Sequence, residues 1–198
     1  MVRQEKMKEL RDVFEQFKVC KSEGAKAPSG EEFIKTTRRK YTLNNGFTLT
    51  REIITKGGKD GSAAIIMAEV DGEILVVIEP RVATKQTVGI GFPAGYVEPG
   101  ELPENAAARE LREETGYVAK SIKCLDKYYQ DEGCISGMNT LFLATGCTKQ
   151  FRQSLDKDEL VYYMTFTFEE IEELEEMGYI TSGNAKLMIA KARKHFKK

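Results

Sequence analysis

The chain has 198 residues, of which 41% are hydrophobic and 31% are charged, and its formal net charge is −1. This composition supports a packed core and a well-solvated surface in one domain, or in one domain with a small appendage. The chain has no excess of basic residues, which argues against a nucleic-acid partner. No apolar run approaches the roughly 18 residues of a membrane span. Together with four widely spaced cysteines and a charged start that lacks a signal-peptide core, these features predict a cytoplasmic protein without a membrane partner.

Residues 1–56 are predicted to form an N-terminal helix and a β-hairpin. Residues 1–23 carry an apolar stripe at helical spacing, formed by Met7, Leu10, Phe14 and Phe17. This helix either packs on its own domain or makes a dimer contact. The turn-forming residues at 25–30 predict a short linker, and alternating residues on both sides of Asn45-Gly46 predict the hairpin.

Residues 57–198 are predicted to form the main domain, of the α+β class. Near-continuous apolar runs at 62–70 and 73–79 predict a second hairpin that is buried on both faces. A helix is expected at about 103–115, and further strands near 118–130, 139–146 and 160–168. Thr167 and Glu170 form a capping-box pattern that opens an acidic helix, and the last helix runs from about Asn184 to Phe196. The helices therefore flank a mixed sheet.

The helix at 103–115 carries the pattern that points to chemistry. Pro103 suits its first turn and Gly116 suits the position just past its end. Projected at 100° per residue, one side packs on a sheet through Ala107, Ala108, Leu111 and Thr115, and another side gathers Glu110, Glu113 and Glu114. Three neighbouring carboxylates repel one another unless a cation neutralises them, and they suit a hard divalent ion that shares phosphate oxygens. The alternative is a solvated acidic face.

The full pattern of residues 95–117 resembles the Nudix box, the signature of the Nudix hydrolase superfamily. It reads G-x5-E-x7-R-E-L-x-E-E-x-G, with the fixed positions Gly95, Glu101, Arg109, Glu110, Leu111, Glu113, Glu114 and Gly116. The next position is usually aliphatic in the family and is Tyr117 here. The resemblance implies an α/β/α sandwich around a mixed sheet, with the box as a loop, a helix and a loop, and with the N-terminal helix and hairpin as an appendage.

The resemblance also implies a metal site. Its ligands would be the three box glutamates and, in relatives with the Phe92–Gly95 lead-in, a backbone carbonyl; in this chain these are Ala94, Glu110, Glu113 and Glu114. Arg109 would orient the box carboxylates, and Glu101 would support the loop by ion pairing. Mg²⁺ is the expected ion, and Mn²⁺ is the alternative.

The catalytic base is less well defined by the resemblance. In the ADP-ribose branch of the family it often comes from a loop beyond the box, which here is the acidic turn 156–159. Glu159 is the first candidate and Asp158 is the second, with Glu113 and Glu132 as further alternatives. The same turn could equally be a solvated surface loop.

Beyond the box, the chain is similar to the ADP-ribose pyrophosphatase group at residues 50–52, 79–81, 92–95 and 141–146. The resemblance implies hydrolysis of the pyrophosphate bond of ADP-ribose or a related nucleoside diphosphate sugar to a nucleoside monophosphate and a sugar phosphate. It also implies a homodimer whose subunits share each active site. Arg51 and Glu52 would then reach the nucleoside or ribose, and Arg81 would bind the diphosphate. Each arginine could instead form a surface ion pair.

One departure leaves the substrate open. ADP-ribose enzymes often carry a proline about fifteen residues after the box, where this chain has Glu132 and Gly133. Other nucleoside diphosphate sugars therefore remain candidates, as does a different nucleotide such as a dinucleoside polyphosphate. A non-catalytic Nudix-fold ligand sensor is the alternative from another class, although sensors usually have eroded boxes and this box keeps its charged positions.

Overall fold

The computed structural model describes residues 1–24, 33–56 and 60–197. In these ranges the helices are α1 Gln4–Phe17, α2 Pro103–Thr115, α3 Phe168–Glu176 and α4 Gly183–Phe196. The strands are β1 Ile34–Thr42, β2 Thr48–Lys56, β3 Ala63–Val70, β4 Glu73–Arg81, β5 Thr87–Gly91, β6 Ala94–Tyr96, β7 Tyr117–Val118, β8 Ser121–Tyr129, β9 Met138–Thr145, β10 Thr148–Lys149 and β11 Tyr162–Phe166. The predicted linker at 25–30 lies outside the described residues, as does residue 57 at the predicted domain boundary.

A seven-stranded mixed sheet forms the centre of the molecule. Its main path runs β11-β4-β3-β9-β8, with β5 paired to β4 and β6 paired to β3. β3 and β9 are parallel, and the other pairs in this sheet are antiparallel. The predicted turn between β3 and β4 is present, with positive φ angles of 50° at Asp71 and 82° at Gly72. Both strands are buried on both faces over most of their length, as the apolar runs predicted.

Helices cover both faces of the sheet, which confirms the α/β/α sandwich. Helix α2 packs on one face through Ala106, Ala107 and Leu111. The other face is covered by α1, α3 and α4, which share a second core cluster with the sheet. The prediction that Ala108 faces the sheet was wrong, because Ala108 is exposed and Ala106 is buried in its place. None of the helices in the described residues combines the length and the apolar character that a bilayer-spanning helix needs.

Helix α1 packs on its own domain, and it is shorter than predicted. Leu10 is fully buried, and Met7 and Val13 are also part of the core. The helix ends at Phe17 rather than at residue 23, and Lys18 is already extended with φ −61° and ψ 137°. The apolar stripe packs on the core as far as Phe17, whereas the apolar residues beyond it, Val19 and Cys20, are exposed and add no packing that would extend the helix. Short helices depend on such packing for most of their stability.

An ionic cluster fastens the start of α1 to the sheet and to α3. Arg3 pairs with Glu73 at 2.5 Å and with Glu170 at 2.6 Å, and Lys6 pairs with Glu73 at 2.7 Å. Glu170 also closes the predicted capping box, because its carboxylate accepts from the amide of Thr167 while the Thr167 hydroxyl accepts from the amide of Glu170. The cap of α3 and the anchor of α1 are therefore the same side chain.

The predicted hairpin around Asn45-Gly46 is formed by β1 and β2, and most of its residues are exposed. Gly46 has a φ of 82°, which supplies the left-handed residue of the turn. At its other end the hairpin joins the loop after β8. The amide of Ile54 donates to the carbonyl of Cys134 at 2.8 Å, and Lys56 Nζ donates to Gln130 Oε1 at 3.0 Å.

Candidate active site

Helix α2 is placed by local sequence signals at both of its ends. Pro103 occupies the first turn, and Gly116 ends the helix in the left-handed conformation at φ 73°. A β-carbon at Gly116 would lie 2.1 Å from the carbonyl oxygen of Phe151, so this position also needs glycine for a close approach. With Leu111 fixed in the core, the glutamate face of α2 lies at the rim of the sheet, beside the ends of β4 and β6.

A cavity of about 310 Å³ lies along this face. Seven predicted site residues line it, namely Arg81, Ala94, Arg109, Glu110, Glu113, Glu114 and Glu159. They come from four parts of the chain that the fold brings together: β4, β6, α2 and the acidic turn. Glu79, Gly95, Tyr96, Glu98, Ser154 and Asp156 complete the lining.

Several predicted residues lie elsewhere. Arg51 and Glu52 are exposed on the hairpin, where Glu52 is opposite Arg38 and Arg51 donates to the carbonyl of Thr50. Glu132 lines a separate surface depression with Tyr129, Ile135 and Ser136. Asp158 is not among the residues that line the cavity, although Glu159 is. Within one chain, the geometry thus favours Glu159 over Asp158 and Glu132 as a group that could act in the cavity.

Arg109 is the hub of the box. Its guanidinium forms a bidentate pair with Glu101 at 3.0 and 3.1 Å, and it donates to Glu110 at 2.6 Å and to Glu113 at 3.3 Å. It also donates to the carbonyl of Tyr96 at 3.0 Å. The bonds to Glu101, followed by those to Glu110, raise the pKa of Arg109 further, so it is a permanent cation. One side chain therefore fixes the box loop and the glutamates of α2 relative to each other.

Gly95 makes room for the first of these glutamates. A β-carbon at this position would lie 1.9 Å from Oε1 of Glu110 and 2.1 Å from its carboxyl carbon. The opening glycine of the box thus leaves space for the Glu110 carboxylate in its present position, and it is not needed for a turn of its own backbone.

The cavity concentrates carboxylates that burial makes costly to ionise. Burial raises the pKa of Glu114 well above its usual value, and the nearby charges of Glu79 and Glu110 act in the same direction. Burial also raises the pKa of Glu110, against the opposing effect of Arg109, and the pKa of Glu79, against the opposing effect of Arg81. A bound divalent cation would relieve this repulsion, because it favours the ionised form of every carboxylate near it.

The donor set of the cavity fits a hard divalent ion, since it consists of carboxylate and carbonyl oxygens. Among residues 1–24, 33–56 and 60–197, no group of three acidic, cysteine or histidine side chains is already arranged around one point. Glu110 and Glu113 are turned towards Arg109, and Glu114 accepts from the amide of Ala94 at 3.3 Å. Binding an ion here would require these side chains to rotate away from their present partners.

Glu159 stands opposite α2 on the acidic turn. Its amide donates to the carbonyl of Asp156 at 3.0 Å, and its Oε2 accepts from the amide of Asp156 at 3.0 Å. Its negative charge contributes to the raised pKa values of Glu79, Glu110 and Glu114, which shows that it lies within electrostatic range of them. The turn therefore presents a carboxylate to the cavity instead of only to solvent.

Sequence reasoning gave no role in the site to Glu79 and Tyr96. Glu79 forms an ion pair with Arg81 at 2.5 Å and is 18% exposed, and Tyr96 packs its ring 5.9 Å from that of Phe33. A signal for Glu79 was present, because a charged residue at the end of an otherwise apolar, doubly buried strand needs a specific reason. Tyr96 carried no such signal before the fold was known.

An α/β/α sandwich with a glutamate-rich helix at the rim of its sheet is the architecture of the class of Nudix hydrolases. The NUDIX domain model matches residues 58–186, and the chain belongs to this family.

Three relatives illustrate the range of the match. The chain is 35% identical to an ADP-ribose pyrophosphatase of Bacillus subtilis (strain 168) over 129 residues, which cover 65% of this chain and 68% of that protein. It is 33% identical to a methanol dehydrogenase activator of Bacillus methanolicus, with the same coverage of 65% and 68%. A crystal structure of an ADP compounds hydrolase superposes with a TM-score of 0.69 at 20% identity, covering 89% of this chain and 97% of the other, and shows the shared fold.

Proposed function

We propose that this protein hydrolyses the pyrophosphate bond of ADP-ribose, or of a related nucleoside diphosphate sugar, to a nucleoside monophosphate and a sugar phosphate. The observation that carries the proposal is the cavity in which Glu110, Glu113 and Glu114 of α2 meet Glu159. Such a set can hold a cation on one side of a diphosphate and a proton acceptor on the other. The substrate class is supported by the ADP-ribose pyrophosphatase relative.

Mg²⁺ is the proposed ion, with Mn²⁺ as the alternative, held by the carbonyl of Ala94 and the carboxylates of Glu110, Glu113 and Glu114. When bound, a divalent ion neutralises the diphosphate oxygens and lowers the pKa of the attacking water. Glu159 removes a proton from this water, whose oxygen forms a bond to one phosphorus.

The bridging phosphorus–oxygen bond then breaks, and the second phosphate leaves with the bridging oxygen and its electron pair. Arg81 exchanges its contact with Glu79 for the diphosphate oxygens, which its planar guanidinium matches. Arg109 stays bound to Glu101 and fixes the position of the box loop relative to α2.

The first test is turnover of ADP-ribose with Mg²⁺, followed as AMP by chromatography, for the native chain and for Glu114→Gln. Glu104→Gln is the matched control, because Glu104 is an exposed glutamate in the first turn of the same helix. We expect AMP and ribose 5-phosphate from the native chain and the control, and none from Glu114→Gln. If ADP-ribose is untouched but another nucleoside diphosphate sugar or a dinucleoside polyphosphate is cleaved, the substrate assignment is wrong and hydrolase chemistry remains.

A ligand sensor is the second candidate function. The similarity to a methanol dehydrogenase activator, a protein named for a regulatory effect, is the observation in its favour. Tight binding of ADP-ribose in calorimetry, with no cleavage of any substrate in Mg²⁺ or Mn²⁺, would establish this candidate over the hydrolase.

We also propose a homodimer in which the hairpin of one subunit reaches the cavity of the other. The hairpin exposes large apolar side chains, with Tyr41 at 38% and Phe47 at 61% exposure, and two-stranded sheets are marginally stable alone. Arg51 and Glu52 would then contact the nucleoside or ribose in the partner's cavity. Mixing the Arg51→Ala and Glu114→Gln variants, each weakly active alone, tests this arrangement. If each site is built from two subunits, a random mixture restores about one native site in four, so the mixture should regain about a quarter of native activity.

The proposed domain organisation follows from the same view. Residues 1–56 are the N-terminal region, whose helix α1 packs on the sheet and whose hairpin we propose as the dimer contact, and residues 57–198 are the Nudix domain. The start of the family match at residue 58 supports this boundary. We propose a cytoplasmic location for the protein, which cell fractionation tests directly.

A further inference from the structure

The carboxyl end of α2 is bonded almost entirely by one short stretch of chain. The last carbonyls of a helix have no partner within the helix and must find donors elsewhere. Here the donors come from residues 149–154, which we name the capping segment. The amide of Ser154 donates to the carbonyl of Glu113 at 2.8 Å, and Nε2 of Gln153 donates to the carbonyl of Glu114 at 2.6 Å. Nζ of Lys149 donates to the carbonyl of Thr115 at 2.6 Å, and the amide of Phe151 donates to the carbonyl of Gly116 at 3.0 Å.

Gln153 makes one more bond than the capping of α2 requires. Its Nε2 also donates to the carbonyl of Val161 at 3.1 Å, and Val161 is a buried residue immediately before β11. The side-chain amide thus joins the backbone of a predicted metal ligand, Glu114, to the point where the chain enters the sheet. Both ends of the loop 154–160 are held at this one amide.

We propose that Gln153 is a positioning residue that fixes the loop 154–160, and Glu159 with it, relative to the glutamates of α2. Gln153 does not line the cavity, so it acts through Glu159 rather than on the substrate. The inference rests on the proposed function, in which Glu159 takes the proton from water. Displacing a reacting group by about 1 Å can cost a hundredfold in rate, so a bond that sets this distance affects kcat.

Gln153→Met is the informative variant, because methionine keeps the length of the side chain and has no N–H donor. Gln150→Met is the matched control, since within the described part of the chain the side chain of Gln150 bonds only the hydroxyl of Thr148 at the surface. We expect Gln153→Met to lower kcat about 30-fold with KM changed less than about twofold, and the control to match the native chain.

A double-mutant cycle with Glu159→Gln separates positioning from general damage. If Gln153 acts through Glu159, Gln153→Met should lower kcat less than about threefold in the Glu159→Gln background. An equal loss of kcat in both backgrounds would overturn the inference, as would a native kcat in Gln153→Met.

Hydrogen exchange decides the matter independently of turnover. The amides of residues 155–160 should exchange faster in Gln153→Met than in the native chain and in Gln150→Met, while those of α2 keep their protection. Unchanged exchange in this loop would overturn the inference. If the native chain cleaves no substrate, the proposed function fails and exchange still tests the role of Gln153. Gln153→Leu, which is uncharged and also lacks the donor, replaces Gln153→Met if the latter does not fold.

Discussion

Replacing Glu170 by glutamine should weaken the anchor of α1 and make the stability of the protein less sensitive to acid. Glu170 is 5% exposed, and its carboxylate accepts from the amide (2.9 Å), Nε (2.8 Å) and Nη2 (2.6 Å) of Arg3. Burial alone would raise the pKa of Glu170, but the bonds from Arg3 and Thr167 outweigh it and hold the pKa at about 2, against 4.5 for an ordinary glutamate.

The magnitude follows from proton linkage. A pKa lowered from 4.5 to about 2 corresponds to roughly 3 kcal/mol of stabilisation. Because Arg3 is 39% exposed and partly screened, we expect about 2 kcal/mol. A carboxylate with a lowered folded pKa stabilises fully above its unfolded pKa, and this stabilisation is lost as the pH falls from about 4.5 to about 2.

Urea unfolding between pH 7 and pH 2.5 is the assay, with Glu169→Gln as control because Glu169 is the exposed neighbour in the same turn. At pH 7, Glu170→Gln should be less stable than the native chain by about 2 kcal/mol, and the control should lie within about 0.5 kcal/mol. The difference between the native chain and Glu170→Gln should shrink progressively as the pH falls from about 4.5 towards 2.5. A difference that stays constant down to the lowest pH would refute the ionic origin of the anchor, and a native-like Glu170→Gln at pH 7 would refute the anchor itself.

Three further substitutions test the packing around α2. Gly95→Ala places a β-carbon 1.9 Å from Glu110 Oε1, so kcat for ADP-ribose should fall more than about a hundredfold while the melting temperature changes little. Gly116→Ala introduces a β-carbon at φ 73° and 2.1 Å from the carbonyl of Phe151, so urea unfolding should show a loss of more than about 2 kcal/mol. Leu111→Ala removes a fully buried side chain between α2 and the sheet and should cost about 2–5 kcal/mol in the same assay.

The elements that could be predicted from the sequence are those whose signals are local. Pro103 and Gly116 delimit α2, and the structure confirms both ends. The turns at Asn45-Gly46 and Asp71-Gly72 likewise need left-handed backbone that few other residues supply. These backbone preferences of proline, glycine and asparagine are the same in the unfolded and the folded chain, so they can be read from the sequence.

The elements that were missed depend on distant partners. β5 and β6 are short and contain glycines, so they show no period, and they are strands because they pair with β4 and β3. The end of α1 was misplaced for a related reason, since Phe14 and Phe17 pack on the core whereas Val19 and Cys20 beyond them are exposed. Arg51 lies away from the cavity of its own chain. The sequence could not predict this, because the position of the hairpin relative to a cavity depends on the fold or on the assembly of two chains.

The hydrogen bonds between the hairpin and the loop after β8 have a consequence for how a change in this loop could alter substrate range. Ile54 bonds Cys134, and Lys56 bonds Gln130, whose amide in turn reaches the buried Asn139 at 2.8 Å. We expect an insertion or deletion in this loop to displace the base of the hairpin, because these hydrogen bonds join the two. A change in the loop that departs from the ADP-ribose pattern is therefore expected to displace the hairpin proposed to hold the dimer. Grafting one without the other should alter assembly and specificity together.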